Sequence, residues 1–524
     1  MVKVPSPDLP PPPQAAAPVV TASSTAASAA VRPRPVIVPS LARRVAEAFL
    51  ALKRSSDPRH ARFVTYSRSL HRKESPVPGS AAAPTTSPGR RPAAASAEVG
   101  GICSELIRLD TTNRGEGDSE GERAAAEYVA GLLSDAGADP VVVESAPGRA
   151  STLVRIAGTD PSHPPFLVHG HLDVVPAEAS DWTVPPFSGA VEDGCVWGRG
   201  AVDMKGSLAM TLAVVRQRLR EGRRTRGDLV LAFLADEECT GEFGSRYVVT
   251  EHAGWFEGVT EAVSESGGFS VTAPGGARVY PVAVGERSTA WMRLTAHGTA
   301  GHGSKPAPDN AVAELCHAVS RLASYRWPVR LTPAVRALVT ELGDILGEPV
   351  DQDRPEEEAE RLGQIGKLFA GTVRNSANPT RLDAGYKVNV IPGSASAQVD
   401  GRYLPGLGEE FLATVDRLLG PRVTREFVNH EEALPGDPSG PTFTALADAL
   451  RAEDEAARPV PYVMAGGTDG KSFARLGIRS FGFAPLLLPP DLDYQAMFHG
   501  VDERVPVAAL EFGTRVLDRF LDTR

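Results

Sequence analysis

Between residues 101 and 287 the apolar positions recur with two different periods. "GERAAAEYVAGLLSDAGAD" repeats every three to four residues and closes on glycine, which predicts a helix; "ICSELIRLDTTN", "MKGSLAMTLAVVRQRLREG" and "FGSRYVVTEH" predict three more. The stretches "VVVES", "STLVRIAG", "PFLVHGHLDVV" and "GDLVLAFLADEE" are short, rich in Val and Leu and bounded by turn residues, and read as strands. Strands alternating with helices predict an α/β fold around a mixed, largely parallel sheet.

From 288 to 427 the pattern changes. "TAWMRLTAHG" and "ASAQVDGRYLP" are strand-like, and "NAVAELCHAVSRLASY" is a long helix. "VRALVTELGDILG" and "EEEAERLGQIGKLFA" add one helix each. We read this stretch as a smaller α/β domain inserted into the first, with the helical stretch 332–371 as its elaboration. The alternation returns over 428–524, so the larger domain comprises 98–287 and 428–524. Residues 1–97 are rich in Pro, Ala and Ser, read as a disordered tail, and offer one short amphipathic helix in "LARRVAEAFLALKR".

Charge sharpens this division. The chain carries −10, yet residues 1–97 hold fourteen Lys/Arg against four Asp/Glu, which leaves the remainder at −20. An acidic body argues against nucleic acid as a partner, because phosphate binding needs a basic surface. No run of about 18 apolar residues exists, so no membrane partner is expected. Cys103, Cys195, Cys239 and Cys316 are scattered without a Cys-x-x-Cys pair, which suits a reducing, cytoplasmic compartment.

The polar residues that interrupt the strands point to chemistry. His169, His171 and Asp173 alternate in "FLVHGHLDVVP", which places them on one face of a strand. Asp236, Glu237 and Glu238 close another strand, Asp203 lies in a Gly-rich loop before a helix, and Glu265 follows "EAVS". In α/β sheets ligands sit beyond the carboxyl ends of the strands, where these residues fall. His171, Asp203, Glu238, Glu265 and His499 offer nitrogen and oxygen donors suited to zinc or a related divalent ion. Two imidazoles and three carboxylates exceed the needs of one open tetrahedral zinc but fit two ions that share a carboxylate.

"HGHLDVVP", "GRGAVDMKG", "DEECTGEFGS", "SESGG", "GTAGHGSKP", "NVIPG", "GGTDG" and "FHGVDERVP" follow one another in an order that resembles the M20 metallopeptidase family, over about residues 101–524. That family includes carboxypeptidase, aminoacylase, acetylornithine deacetylase and succinyl-diaminopimelate desuccinylase branches. The resemblance implies a zinc-peptidase-like catalytic domain with an inserted lid that also forms a homodimer. It implies two divalent ions, zinc with cobalt or manganese as alternatives. His171, Asp203 and Glu265 would hold one, and Asp203, Glu238 and His499 the other. Asp173 would orient the His171 ring, and Glu237 would be the general base. His302 would reach an active site, generally that of the partner subunit. Asn389, Arg402, Gly467 and Thr468 would hold the substrate; His169 receives no role beyond packing. The implied reaction is hydrolysis of an amide in a short peptide or N-acyl amino acid with a free carboxylate. Hydrolysis of a deacetylase, desuccinylase or carbamoyl type on the same site is the alternative.

Overall fold

The computed structural model describes residues 94–115 and 117–524. The tail helix expected in "LARRVAEAFLALKR", and all of the tail up to residue 93, lie outside the described residues.

One sheet organises the larger part. Its strands run in the order Val271–Thr272, Arg278–Glu286, Arg479–Gly482, Glu261–Ser264, Phe166–His171, Leu229–Leu234, Arg149–Ile156 and Val141–Ala146, with Ala457–Met464 pairing in parallel with Arg278–Glu286. Its centre is parallel: Phe166–His171 lies between Leu229–Leu234 and Glu261–Ser264 and runs with both. The apolar run in "LVLAFL" has a physical reason. Leu229, Leu231 and Phe233 enter one core, while Val230, Ala232 and Leu234 enter the core on the other face. A strand covered on both sides has no solvent face to mark with polar residues.

Helices Ala95–Arg108, Arg123–Asp135, Lys205–Arg220 and Val507–Leu521 supply the larger core. The first begins seven residues before "ICSELIRLDTTN" and takes in part of the expected tail. Ala95 and Val99 are buried there, and the Ala95 N–H donates to Gln217 Oε1 at 2.7 Å.

A separate antiparallel sheet runs in the order Ser376–Ala384, Ser394–Arg402, Thr289–His297, Val423–Glu431. Met292, Leu294 and Ala296 alternate inward against helices Ala311–Ser324 and Gly408–Leu419, forming a core of their own.

The helical stretch 332–371 departs from expectation. Helix Pro333–Leu346 buries Val335, Leu338 and Leu342 in the larger core, against strand Ala457–Met464, and not in the core of the smaller sheet. The expected single helix in "EEEAERLGQIGKLFA" is two, Pro355–Arg361 and Gln364–Ala370, broken at Gly363 with φ +60°. The two pieces then cross closely at Gly366, where a Cβ would lie 1.9 Å from the Ala359 carbonyl oxygen.

Candidate active site

His171 ends its strand opposite Leu234, the last residue of the neighbouring strand, so the loop bearing Glu237 and Glu238 starts beside it. Glu265 follows the strand on the other side directly. Asp203 precedes helix Lys205–Arg220, and His499 lies in the loop before Arg504–Pro506. These six residues, drawn from five chain segments, converge. His171 Nε2 lies 3.1 Å from Asp203 Oδ1 and 3.5 Å from Glu265 Oε2. His499 Nε2 lies 3.3 Å from Asp203 Oδ2 and 3.0 Å from Glu238 Oε2. Asp203 therefore turns one oxygen to each imidazole. Asp236, Ser266 and His499 adopt positive φ, an uncommon state for residues with a Cβ that clusters at functional sites.

Crowding four carboxylates into a buried space distorts their titration. Burial, then the charge of Glu265, holds the Glu237 carboxyl well above its ordinary range. Glu265 itself is pushed up to about 8, chiefly by burial. Hydrogen bonds to Asp203 and Glu238 raise His499 to about 10. Glu238 Oε1 is buried without a hydrogen-bond partner. One donor atom each from His171, Asp203 and Glu238, and from His171, Glu237 and Glu265, lie within 4.8 Å of one another. An excess of oxygen donors around two imidazoles, with one buried oxygen unpaired, fits hard or borderline divalent cations.

The strand ends at His171, so Asp173 does not share its face with His169 as alternation predicts. The chain turns instead, and the Asp173 carboxylate accepts from the Glu237 N–H at 3.1 Å, the Glu238 N–H at 3.2 Å and Asn113 Nδ2 at 2.9 Å. His171 Nδ1 is 3.0 Å from the Asp173 carbonyl oxygen and 3.6 Å from its carboxylate. Asp173 thus fixes both the imidazole and the loop bearing Glu237. His169 packs 4.6 Å from the Phe473 ring, and burial lowers it to about 3, so it is neutral.

A cavity of about 490 Å³ opens on the cluster and is also lined by Arg402, Gly467 and Thr468. The Arg402 fork meets Asp400 at 2.7 and 3.3 Å and Thr289 Oγ1 at 3.1 Å. The Thr468 hydroxyl donates to Glu286 at 2.6 Å and its N–H to the same carboxylate at 3.1 Å, so Thr468 is anchored to the protein. Asn389 and His302 are exposed, His302 on the ribbon formed by Gly301–His302 and Val390–Ile391 and Asn389 just before its second strand, and they do not line this cavity.

The description Peptidase family M20/M25/M40 matches residues 167–523. The chain belongs to that family. It is a hydrolytic enzyme, in a family whose metallopeptidases depend on metal. Aminoacylase-1 of Homo sapiens is 29% identical over 387 residues, 72% of this chain and 84% of its own length. An N-fatty-acyl-amino acid synthase/hydrolase of Homo sapiens is 30% identical over 378 residues, 69% of this chain and 74% of its own. The fold matches an M20 family metallo-carboxypeptidase from Sulfolobus solfataricus with a TM-score of 0.61 at 20% identity, over 81% of this chain and 99% of that one.

The supports of the site were not singled out from sequence. Glu503, fully buried, accepts from Arg199 at 2.8 Å and from the N–H groups of Gly200, Val202 and Asp203 at 3.0, 2.6 and 3.0 Å. It ties the Asp203 loop to the segment bearing His499. Arg149 bridges Glu122 and Asp236, each contact at 2.8 or 2.9 Å. Two hints are visible in the sequence: Glu503 lies in "FHGVDERVP", and Asp236 closes an apolar run.

Proposed function

We propose that the chain is a two-metal amidohydrolase that cleaves a short peptide or N-acyl amino acid carrying a free carboxylate. The observation that carries this reading is Asp203, whose two oxygens face His171 and His499 separately while Glu237 stands beside them. Two divalent ions there, zinc with cobalt or manganese as alternatives, would supply Lewis acidity to the scissile carbonyl and lower the pKa of a nearby water. His171, Asp203 and Glu265 would hold one, and Asp203, Glu238 and His499 the other.

Glu237 takes the proton of the attacking water and hands it to the leaving amine. Glu237 lines the cavity 4.0 Å from His171 Nε2, which puts its carboxylate beside the proposed ions, where that water would sit. Arg402 keeps N–H groups for the substrate carboxylate beyond those given to Asp400 and Thr289. Gly467 lines the cavity and would offer its backbone to the substrate; a Cβ there would crowd Lys471 Cε at 3.0 Å and Thr289 Oγ1 at 3.3 Å.

His302 completes the oxyanion site of the partner subunit in a homodimer formed through the smaller domain. Its exposure, and the exposed Leu382, Tyr386, Val388, Phe427 and Val428 of the same domain, support this arrangement. We place the enzyme in the cytoplasm, in keeping with the lack of a disulfide among the described residues. Among those residues no helix is long and apolar enough to cross a membrane.

The reading is tested by incubating protein with N-acyl amino acids and dipeptides and identifying the products. Hydrolysis that stops on chelation and returns with zinc, cobalt or manganese supports it; hydrolysis indifferent to chelation refutes it.

A further inference from the structure

The cavity has two chemically different walls. One comes from the smaller sheet, with Thr289, Arg402, Asn429 and Glu431 beside Trp291, and is mostly polar. The larger part supplies the rest: polar residues such as Thr240, Asp469 and Ser472, and an apolar wall of Phe269, Leu368, Tyr462, Met464 and Phe498. The apolar wall lies next to the ligand cluster along the chain. Phe498 precedes His499, and Phe269 is four residues beyond Glu265.

Its side chains are held before any ligand arrives. The Tyr494 ring packs 5.1 Å from Phe269 and 5.6 Å from Phe498. The Tyr462 hydroxyl donates to the Ser266 carbonyl, which leaves its ring as the apolar surface. Leu368 arrives on helix Gln364–Ala370, within the stretch that packs on the larger core. That helix is bound to the His499 loop at two points. Lys367 Nζ lies 2.6 Å from Asp493 Oδ2, and Gln495 Nε2 donates to the Gln364 carbonyl at 3.2 Å. The Lys367 charge at the rim is thereby neutralised by Asp493.

We propose that this wall is a specificity subsite for an apolar group on the acyl side of the scissile bond, with Leu368 as a specificity-determining residue. The proposal rests on the amidohydrolase reading above. Arg402 and its polar neighbours take the carboxylate-bearing half, and the carbonyl lies at the ligand cluster. The remaining half of the substrate meets Phe269, Leu368 and Phe498. A cavity of about 490 Å³ falls within the range that encloses a ligand of this size.

The test measures kcat/KM of the metal-loaded protein on acetyl, butanoyl and octanoyl derivatives of one amino acid. Wild-type kcat/KM is expected to rise with acyl length. Leu368→Glu is expected to lower the octanoyl-to-acetyl ratio at least roughly tenfold, mainly through KM, because an apolar pocket discriminates by about that factor per group lost. Leu368→Ala, the milder change, is expected to lower the same ratio in the same direction, which keeps the test open if the charged variant does not fold. A flat profile in wild type, or a ratio within twofold of wild type in the folded variants, overturns the subsite and leaves the amidohydrolase reading standing. Failure to cleave any acyl amino acid or dipeptide overturns both.

Discussion

Asp203 and Glu237 divide the work of the site by geometry rather than by type. Asp203 faces an imidazole with each oxygen, whereas Glu237 stays 4.0 Å from His171 and lines the cavity. Replacing Glu237 with Gln should cut kcat by about 10²–10⁴ and leave bound metal unchanged, measured by steady-state kinetics beside elemental analysis. A variant with near-normal kcat removes Glu237 from the role of base. Proton competition gives a second test at this scale. Without metal, His499 is raised to about 10 and Glu265 to about 8, so both hold protons at pH 7. Binding of a divalent ion must displace them, and affinity should climb as pH rises from 6 towards 9. Calorimetric titrations of zinc in two buffers of different ionisation enthalpy should register proton release at pH 7; equal heats contradict it.

At the scale of elements, a strand end and loops carry the candidate ligands, and buried charge networks hold the loops. Arg149 is the cation shared by two buried carboxylates, Glu122 and Asp236, the latter at the base of the Glu237 loop and also accepting from Asn113 Nδ2 and the Phe243 N–H. Arg149→Met should therefore lower stability by about 3–5 kcal/mol, read from denaturant unfolding. Asp228 joins the strand Leu229–Leu234 to its surroundings. Its carboxyl sits below the usual range because the Gly158 N–H and then the Arg155 guanidinium favour the charged form. A depressed folded-state pKa adds stability above the unfolded value, about 3.9, and loses it as pH falls through the folded one. The stability gap between wild type and Asp228→Asn should be full at pH 7 and close below about pH 4.

Much of this level was legible in sequence, because strand ends announce themselves where an apolar run gives way to His171, Asp236 or Glu265. Other features were not. Arg278–Glu286 and Ala457–Met464 pair side by side despite Pro281, Pro459 and Pro461, residues that ordinarily argue against a strand. The apolar face of Pro333–Leu346 tells that it is buried but not against which core. Glu503 acts on amides three hundred residues away, and no local pattern records such a partner.

For the whole molecule, the exposed ribbon bearing His302 and Asn389 makes sense if each site is completed across a dimer. Glu237→Gln and His302→Ala proteins, each nearly inactive alone, should then regain part of the wild-type activity when mixed and allowed to exchange subunits. Activity that stays at the sum of the two separate proteins rules out contribution in trans. The most direct measurement is the number of ions each chain holds. Elemental analysis of pure, remetallated protein should find two divalent ions per chain, falling to one in His499→Ala. No bound ion, or a single ion that His499→Ala leaves in place, would contradict the account.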